Sequence, residues 1–279
     1  MNNRLRTCSI TALAMALTIA TTASPSTSAD TLRLRLKVGD SLRYKSVTTT
    51  ATDMMGQFME SVVTTVSVMR ALEQSEGWTK VRVTTEELDM EGEGFPGAAD
   101  AIEGMKDVAY TFEVDETGRT RRIELENADA LEPMVRQMVS SSMRAQNVVG
   151  FMGVHFPKGP VDVGSSWDVE IDAEKMFASE MFSDVDGEID VSFEVVGFED
   201  LDGRRNVKIK SVVDGDMTMA IVSPAGDLEA DMILEAESTY WIDVQDGTVT
   251  KMVSEGSVET EFGFGSMLQS ISTTLERVK

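Results

Sequence analysis

The chain has 279 residues and a formal charge of −23 at neutral pH, with 25 Lys and Arg against 48 Asp and Glu. Such a surface repels nucleic acid and anionic headgroups, so neither nucleic-acid binding nor stable membrane insertion is expected. One cysteine and one histidine leave little material for thiol, imidazole or zinc chemistry.

Arg4 and Arg6, the apolar run Ile10 to Ala20 and the small residues Thr27-Ser28-Ala29 follow the order of an export leader. The run is too short to span a bilayer. Residues 1–29 are expected to be removed after Ala29, with Ala23 as the alternative, leaving a soluble periplasmic or extracellular protein. Cys8 precedes the apolar run, where it cannot carry a lipid anchor. The exported part then lacks cysteine, so its stability must come from a core.

From residue 30 onward, most of the chain alternates with period two, the mark of half-buried strands. Leu32, Leu34 and Leu36 alternate with Arg33, Arg35 and Lys37, and Leu42, Tyr44 and Ser46 follow a Gly39-Asp40 turn. Val62, Thr64, Val66 and Val68 form the next strand, and Gly77 leads into Trp78, Val81 and Val83. Tyr110, Phe112 and Val114 end at Glu116-Thr117-Gly118. Residues 127–152 interrupt the pattern: from Leu131, the residues Met134, Val135, Met138, Val139 and Met143 form a helical stripe expected to reach about Val149. Shorter helices are expected near Ala98 to Met105 and within Asp172 to Phe182. Strands resume with Ile189 to Val195, Val207 and Ile209, Leu228 to Leu234, Tyr240 to Val244 and Val249 to Phe262, with Asp202-Gly203 and Asp246-Gly247 as hairpin signals.

The second half echoes the first. Val38-Gly39-Asp40-Ser41-Leu42 recurs as Val163-Gly164-Ser165-Ser166-Trp167, and Tyr110 to Asp115 with Gly118 recurs as Tyr240 to Gln245 with Gly247. The expected fold is mainly β: two tandem antiparallel meanders (30–126 and 153–279) forming a curved sheet or half-barrel, with the inserted helix on its concave face. Whether the halves join edge to edge or stack is open. With the stretch Phe156 to Trp167, these motifs resemble a family of secreted bacterial proteins, domain of unknown function 6263. The resemblance runs from about Leu32 to about Phe262; its motifs are structural and imply no catalytic residue. In architecture alone, a curved antiparallel sheet under an apolar helix resembles the periplasmic lipoprotein-carrier half-barrels, which implies shelter for acyl chains.

No catalytic constellation stands out. A Ser-His-Asp triad would need His155, which sits in an extended Gly153-to-Pro157 linker, and no Gly-x-Ser-x-Gly elbow occurs. Asp184, Asp186, Glu188 and Asp190 gather oxygen ligands, but Gly187 comes too early for an EF-hand loop. Trp78, Trp167 and Trp241 fall at strand positions that favour the core. No enzyme, cofactor or metal is expected. The 19 methionines are more informative, because Met adapts to varied apolar ligands. Met54 and Met55, together with Met134, Val135, Met138, Val139 and Met143, are the candidate ligand-binding residues. Two functions stay open: a non-enzymatic carrier of a lipophilic molecule, or an envelope protein acting through partner contacts with no small ligand.

Overall fold

The structure is a computed structural model that describes residues 30–92, 105–106, 108–131, 136, 151–177, 182–222 and 227–279. The expected leader lies outside these residues. So do the expected helices at Leu131–Val149 and Ala98–Met105, apart from Leu131, Arg136 and Met105.

Eleven strands build one antiparallel sheet: β1 (Ser41–Met54), β2 (Gln57–Ser75), β3 (Trp78–Gly92), β4 (Ala109–Asp115), β5 (Thr120–Leu125), β6 (Ser166–Asp172), β7 (Phe182–Leu201), β8 (Arg204–Ile221), β9 (Leu228–Asp243), β10 (Val249–Phe262) and β11 (Gly265–Val278). Their order is β5-β4-β3-β2-β1-β11-β10-β9-β8-β7-β6. The two meanders therefore join edge to edge through β1 and β11, from Arg43 opposite Val278 to Met54 opposite Met267. One short helix, α1 (Ala173–Phe177), follows β6 inside the expected Asp172–Phe182 window.

The Leu32-Leu34-Leu36 segment is not a strand of the sheet. It is an extended strap that crosses the sheet end, with its leucines buried and its polar groups spent on turns. The Leu34 N–H donates to the Glu116 carbonyl in the β4–β5 turn, and the Arg35 N–H donates to the Asp246 carbonyl in the β9–β10 turn. Alternation alone does not separate strap from strand, because both bury every second residue.

These bonds reveal the curl. The two turns are six strands apart, roughly 29 Å on a flat sheet, whereas adjacent Cα atoms are about 3.8 Å apart. The linker repeats the lesson. The Phe156 N–H donates to the Thr117 carbonyl beside edge strand β5, and the His155 carbonyl accepts from Trp167 Nε1 on edge strand β6. The sheet must wrap round until both edges approach the linker, although β5 and β6 do not pair. Strap and linker meet at a bridge between Asp30 and Val161. Arg33 reinforces the crossing by donating to the carbonyls of Pro157 and Lys158.

The core fills the strap end. Leu32, Leu34 and Leu36 pack with Leu42, Tyr44, Val81, Phe112, Val154, Phe156, Ile209 and Ile242 in one cluster. Two apolar residues fall on the convex face. Val68 is buried on the convex face beneath Arg43, because Leu42 and Met69 occupy the paired inward positions. Trp241 is half-exposed rather than core, with Lys208 and Lys251 over its ring and its indole N–H on Glu199.

The echoed motifs coincide with repeated geometry. The Gly39 N–H donates to Ala71 and the Ala71 N–H to Asp40; likewise the Gly164 N–H donates to Val195 and the Val195 N–H to Ser165. Register shifts follow at Ala71/Glu73 and Val195/Gly197.

Gly247 shows how tightly the strap is seated. Its φ is +70°, and an added Cβ would lie 2.1 Å from the Arg33 carbonyl oxygen. Gly39 also has positive φ but open space around it. Gly247→Ala is therefore expected to cost about 3 kcal/mol or more in urea denaturation, from strain plus overpacking. Gly39→Ala should cost only about 1–2 kcal/mol, the left-handed penalty alone.

Candidate functional site

The concave face has two characters. Along the central strands its inward positions carry hydroxyls. The Thr48 and Thr273 hydroxyls share a 3.1 Å hydrogen bond across β1 and β11, and Ser238 donates to Ser254 at 2.8 Å across β9 and β10. Toward β6–β9 the inward positions turn apolar. On β7, Ile189, Val191, Phe193 and Val195 point inward while Glu188, Asp190 and Glu194 face solvent. This is the plain consequence of period-two alternation on a sheet buried on one face.

A cavity of about 220 Å³ opens on that apolar side. Val169 and Ile171 of β6, Ile189, Val191 and Phe193 of β7, and Val213 and Leu234 of β8 and β9 form its walls. Met176 of α1 and Gly153 and His155 of the linker cover it. Ala236 is the small inward residue that lines the hollow. Ala236 lies between Val213 on β8 and Gly256 on β10, and Gly215 lies opposite Leu234. Gly256 is also sterically required, since a Cβ there would sit 2.7 Å from the Glu235 carbonyl oxygen. Trp167 stacks on Phe193 with ring centroids 5.3 Å apart and fixes that wall.

The lining has one polar corner. Tyr240 enters the cavity beside Ser211, and a Cβ on Gly153 would come 3.1 Å from its hydroxyl oxygen. Burial pushes the Tyr240 phenol above its ordinary range, against the opposing pull of hydrogen bonds with Ser238 and Ser211. The phenol therefore stays protonated at neutral pH and can donate. Two of the larger hollows are open and strongly charged. One, of about 820 Å³, includes Arg43, Arg70, Glu86, Asp202, Arg204 and Arg277. The other, of about 750 Å³, is lined by Glu170, Asp172, Glu174, Asp186, Glu188, Asp190, Asp214 and Asp216. Among the described residues, no three His, Cys, Asp or Glu side chains are arranged to hold a metal ion.

No family model and no curated protein matches the sequence. Among solved structures, one of lipid–protein interactions in lipovitellin aligns over 87% of this chain at 11% identity, with a TM-score of 0.49. The chain spans 25% of that lipovitellin chain. A Bacteroides fragilis protein with a YmcC-like fold aligns over 89% of this chain and 99% of its own, at 12% identity and a TM-score of 0.26. The hypothetical lipoprotein YmcC of Escherichia coli aligns over 83% and 86%, at 12% identity and a TM-score of 0.23. At these values the site has to be read from its own residues.

The residues singled out from sequence lie elsewhere. Met54 and Met55 form the β1–β2 hairpin tip, with Met55 63% exposed. Met134, Val135, Met138, Val139 and Met143 lie outside the described residues. His155 covers the cavity, and its backbone carbonyl takes the Trp167 indole proton at 2.7 Å. The cavity walls were visible in sequence only as ordinary strand alternation. The available signal was subtler: Ala236 places one small residue among larger inward ones. No described helix is long and apolar enough to cross a membrane.

Phe193→Ala removes both a wall and the Trp167 stacking partner. It is expected to destabilise the fold by about 3–5 kcal/mol in urea titration, the range for truncating a buried ring.

Proposed function

We propose that this protein is an exported, non-enzymatic binder that carries a single lipophilic group in the cavity between β6–β9, the linker and α1. The supporting observation is an apolar hollow whose polar contacts converge at one corner, on the Tyr240 and Ser211 hydroxyls. Ligand pockets commonly combine apolar walls with a few placed polar groups. Size narrows the ligand. A cavity of about 150 Å³ accepts benzene, and drug-sized ligands occupy roughly 300–1,000 Å³. About 220 Å³ suits a segment of one acyl chain rather than a two-chain lipid. The Tyr240 hydroxyl would donate to a carbonyl or carboxyl oxygen at the chain's polar end.

The same proposal reads the two meanders as a tandem repeat, supported by the matched bonds at Gly39 and Gly164 and the motif resemblance to domain of unknown function 6263. The methionine stripe Met134 to Met143 belongs to it as a further cover. The second reading, an envelope protein acting through protein contacts, is favoured by the acidic hollow around Asp186 and Asp214.

Titration with a fluorescent fatty acid tests the carrier reading. Wild type should bind, and Ala236→Leu, which fills the hollow, should bind at least about tenfold more weakly, a loss of about 1.4 kcal/mol. Equal binding by a folded Ala236→Leu variant removes the cavity as the site. No binding by wild type, with a clean native mass after purification from the periplasm, favours the envelope reading.

A further inference from the structure

We propose that the hairpin tips opposite the strap form a docking surface for an uncharged or zwitterionic lipid bilayer. The β1–β2 and β10–β11 turns lie side by side, because Met54 pairs with Met267 across the central seam. They present Met55, Phe58 and Phe264, which are 63%, 65% and 62% exposed. Phe262 and Phe264 stack with centroids 5.5 Å apart. The Met55 thioether lies over Gly265, so the two tips form one patch.

Met55 also breaks a local rule. With Gly56 it makes a two-residue turn in which both residues have positive φ. Asn, Asp or Gly ordinarily fills that first position. Here an apolar side chain occupies a strained conformation and faces solvent, a pattern that points to function.

Charge selects the partner. No Lys or Arg occurs between Lys45 and Arg70, or between Lys251 and Arg277, so neither hairpin carries a cation. Asp53, Glu60, Glu259 and Glu261 flank the tips. Anionic headgroups are thereby repelled, and attachment has to come from inserted apolar side chains. Shape points the same way. A stable protein partner needs roughly 800 Å² of matched surface per side, whereas a bilayer accepts a few side chains without complementarity.

The patch is also continuous with the cavity, and here the inference rests on the carrier reading. From Leu234 in the cavity wall, successive inward positions on β9 are Met232 and Ala230. Met232 pairs with Met217 and with the buried Thr260, and Ala230 pairs with Met219 and Phe262. An apolar track thus runs from the cavity to the β10–β11 tip.

Co-sedimentation with phosphatidylcholine vesicles tests the docking. Wild type should partition with a constant on the order of 10⁴ M⁻¹, the level of one acyl anchor. Raising salt to about 0.5 M should leave the partition unchanged, because screening acts on charges. The triple variant Met55→Ser, Phe58→Ser, Phe264→Ser should lose at least about tenfold, equivalent to about 1.4 kcal/mol. These residues are exposed, so its urea midpoint should match wild type. Wild type left in the supernatant overturns the proposal, as does equal sedimentation of the variant or loss of binding in salt. A wild-type oligomer that the variant dissolves, without vesicle binding, assigns the patch to a second copy and also overturns it. Fatty-acid titration of the triple variant keeps the two readings apart. Retained binding there, with vesicle association lost, is the expected pair of results.

Discussion

Two adjacent strap residues hold turns that lie six strands apart. The Leu34 and Arg35 amides, bonded to Glu116 and Asp246, set the curvature on which the rest of the fold depends. An open sheet of eleven strands would otherwise expose its apolar face to water. With the strap in place, one end of the concave face closes over Leu32, Leu34 and Leu36, and the linker at His155 and Phe156 draws in both edges. The arrangement gains from hydrogen bonds that remain local to the strap while joining elements far apart in sequence. It also explains why Gly247 has to lack a side chain, since the strap backbone lies directly on it.

Closure at one end leaves the other characters of the concave face exposed to different uses. The centre is hydroxyl-rich, as at Thr48, Thr273, Ser238 and Ser254, and its groups satisfy one another. The β6–β9 side is apolar and hollow beside Ala236. An underfilled apolar wall is costly unless it serves something, because lining atoms lose dispersion partners. The charged residues stay outside. Glu188, Asp190 and Glu194 on β7 keep the convex face solvated and oppose edge-to-edge aggregation near the sheet edge at β6.

Much of the sheet was legible because alternation, turns and strand lengths are local properties. Asp202-Gly203 and the Tyr240-to-Gly247 region became hairpin turns where expected. Three features were not legible because they depend on how elements meet in space rather than on a local pattern. Leu32 to Leu36 alternates like a strand but spends its amides on turns. Val68 and Trp241 are apolar yet lie on the convex face, sheltered by Arg43 in one case and by Lys208 and Lys251 in the other. The cavity is lined from β6, β7, β8, β9, the linker and α1, a convergence that no single strand displays. The position of His155 over the cavity follows from the curl, which no local pattern displays.

The seam between β1 and β11 has a consequence for how the molecule is made. The first strand and the last meet in the middle of the sheet, so each meander can form its own neighbour pairs during synthesis but neither can finish the fold. Contacts this distant in sequence are slow to form. Without β11, β1 would have one unpaired side and β10 another. The final strand then acts as a zip, since its pairing with β1 and β10 joins the two meanders into one sheet.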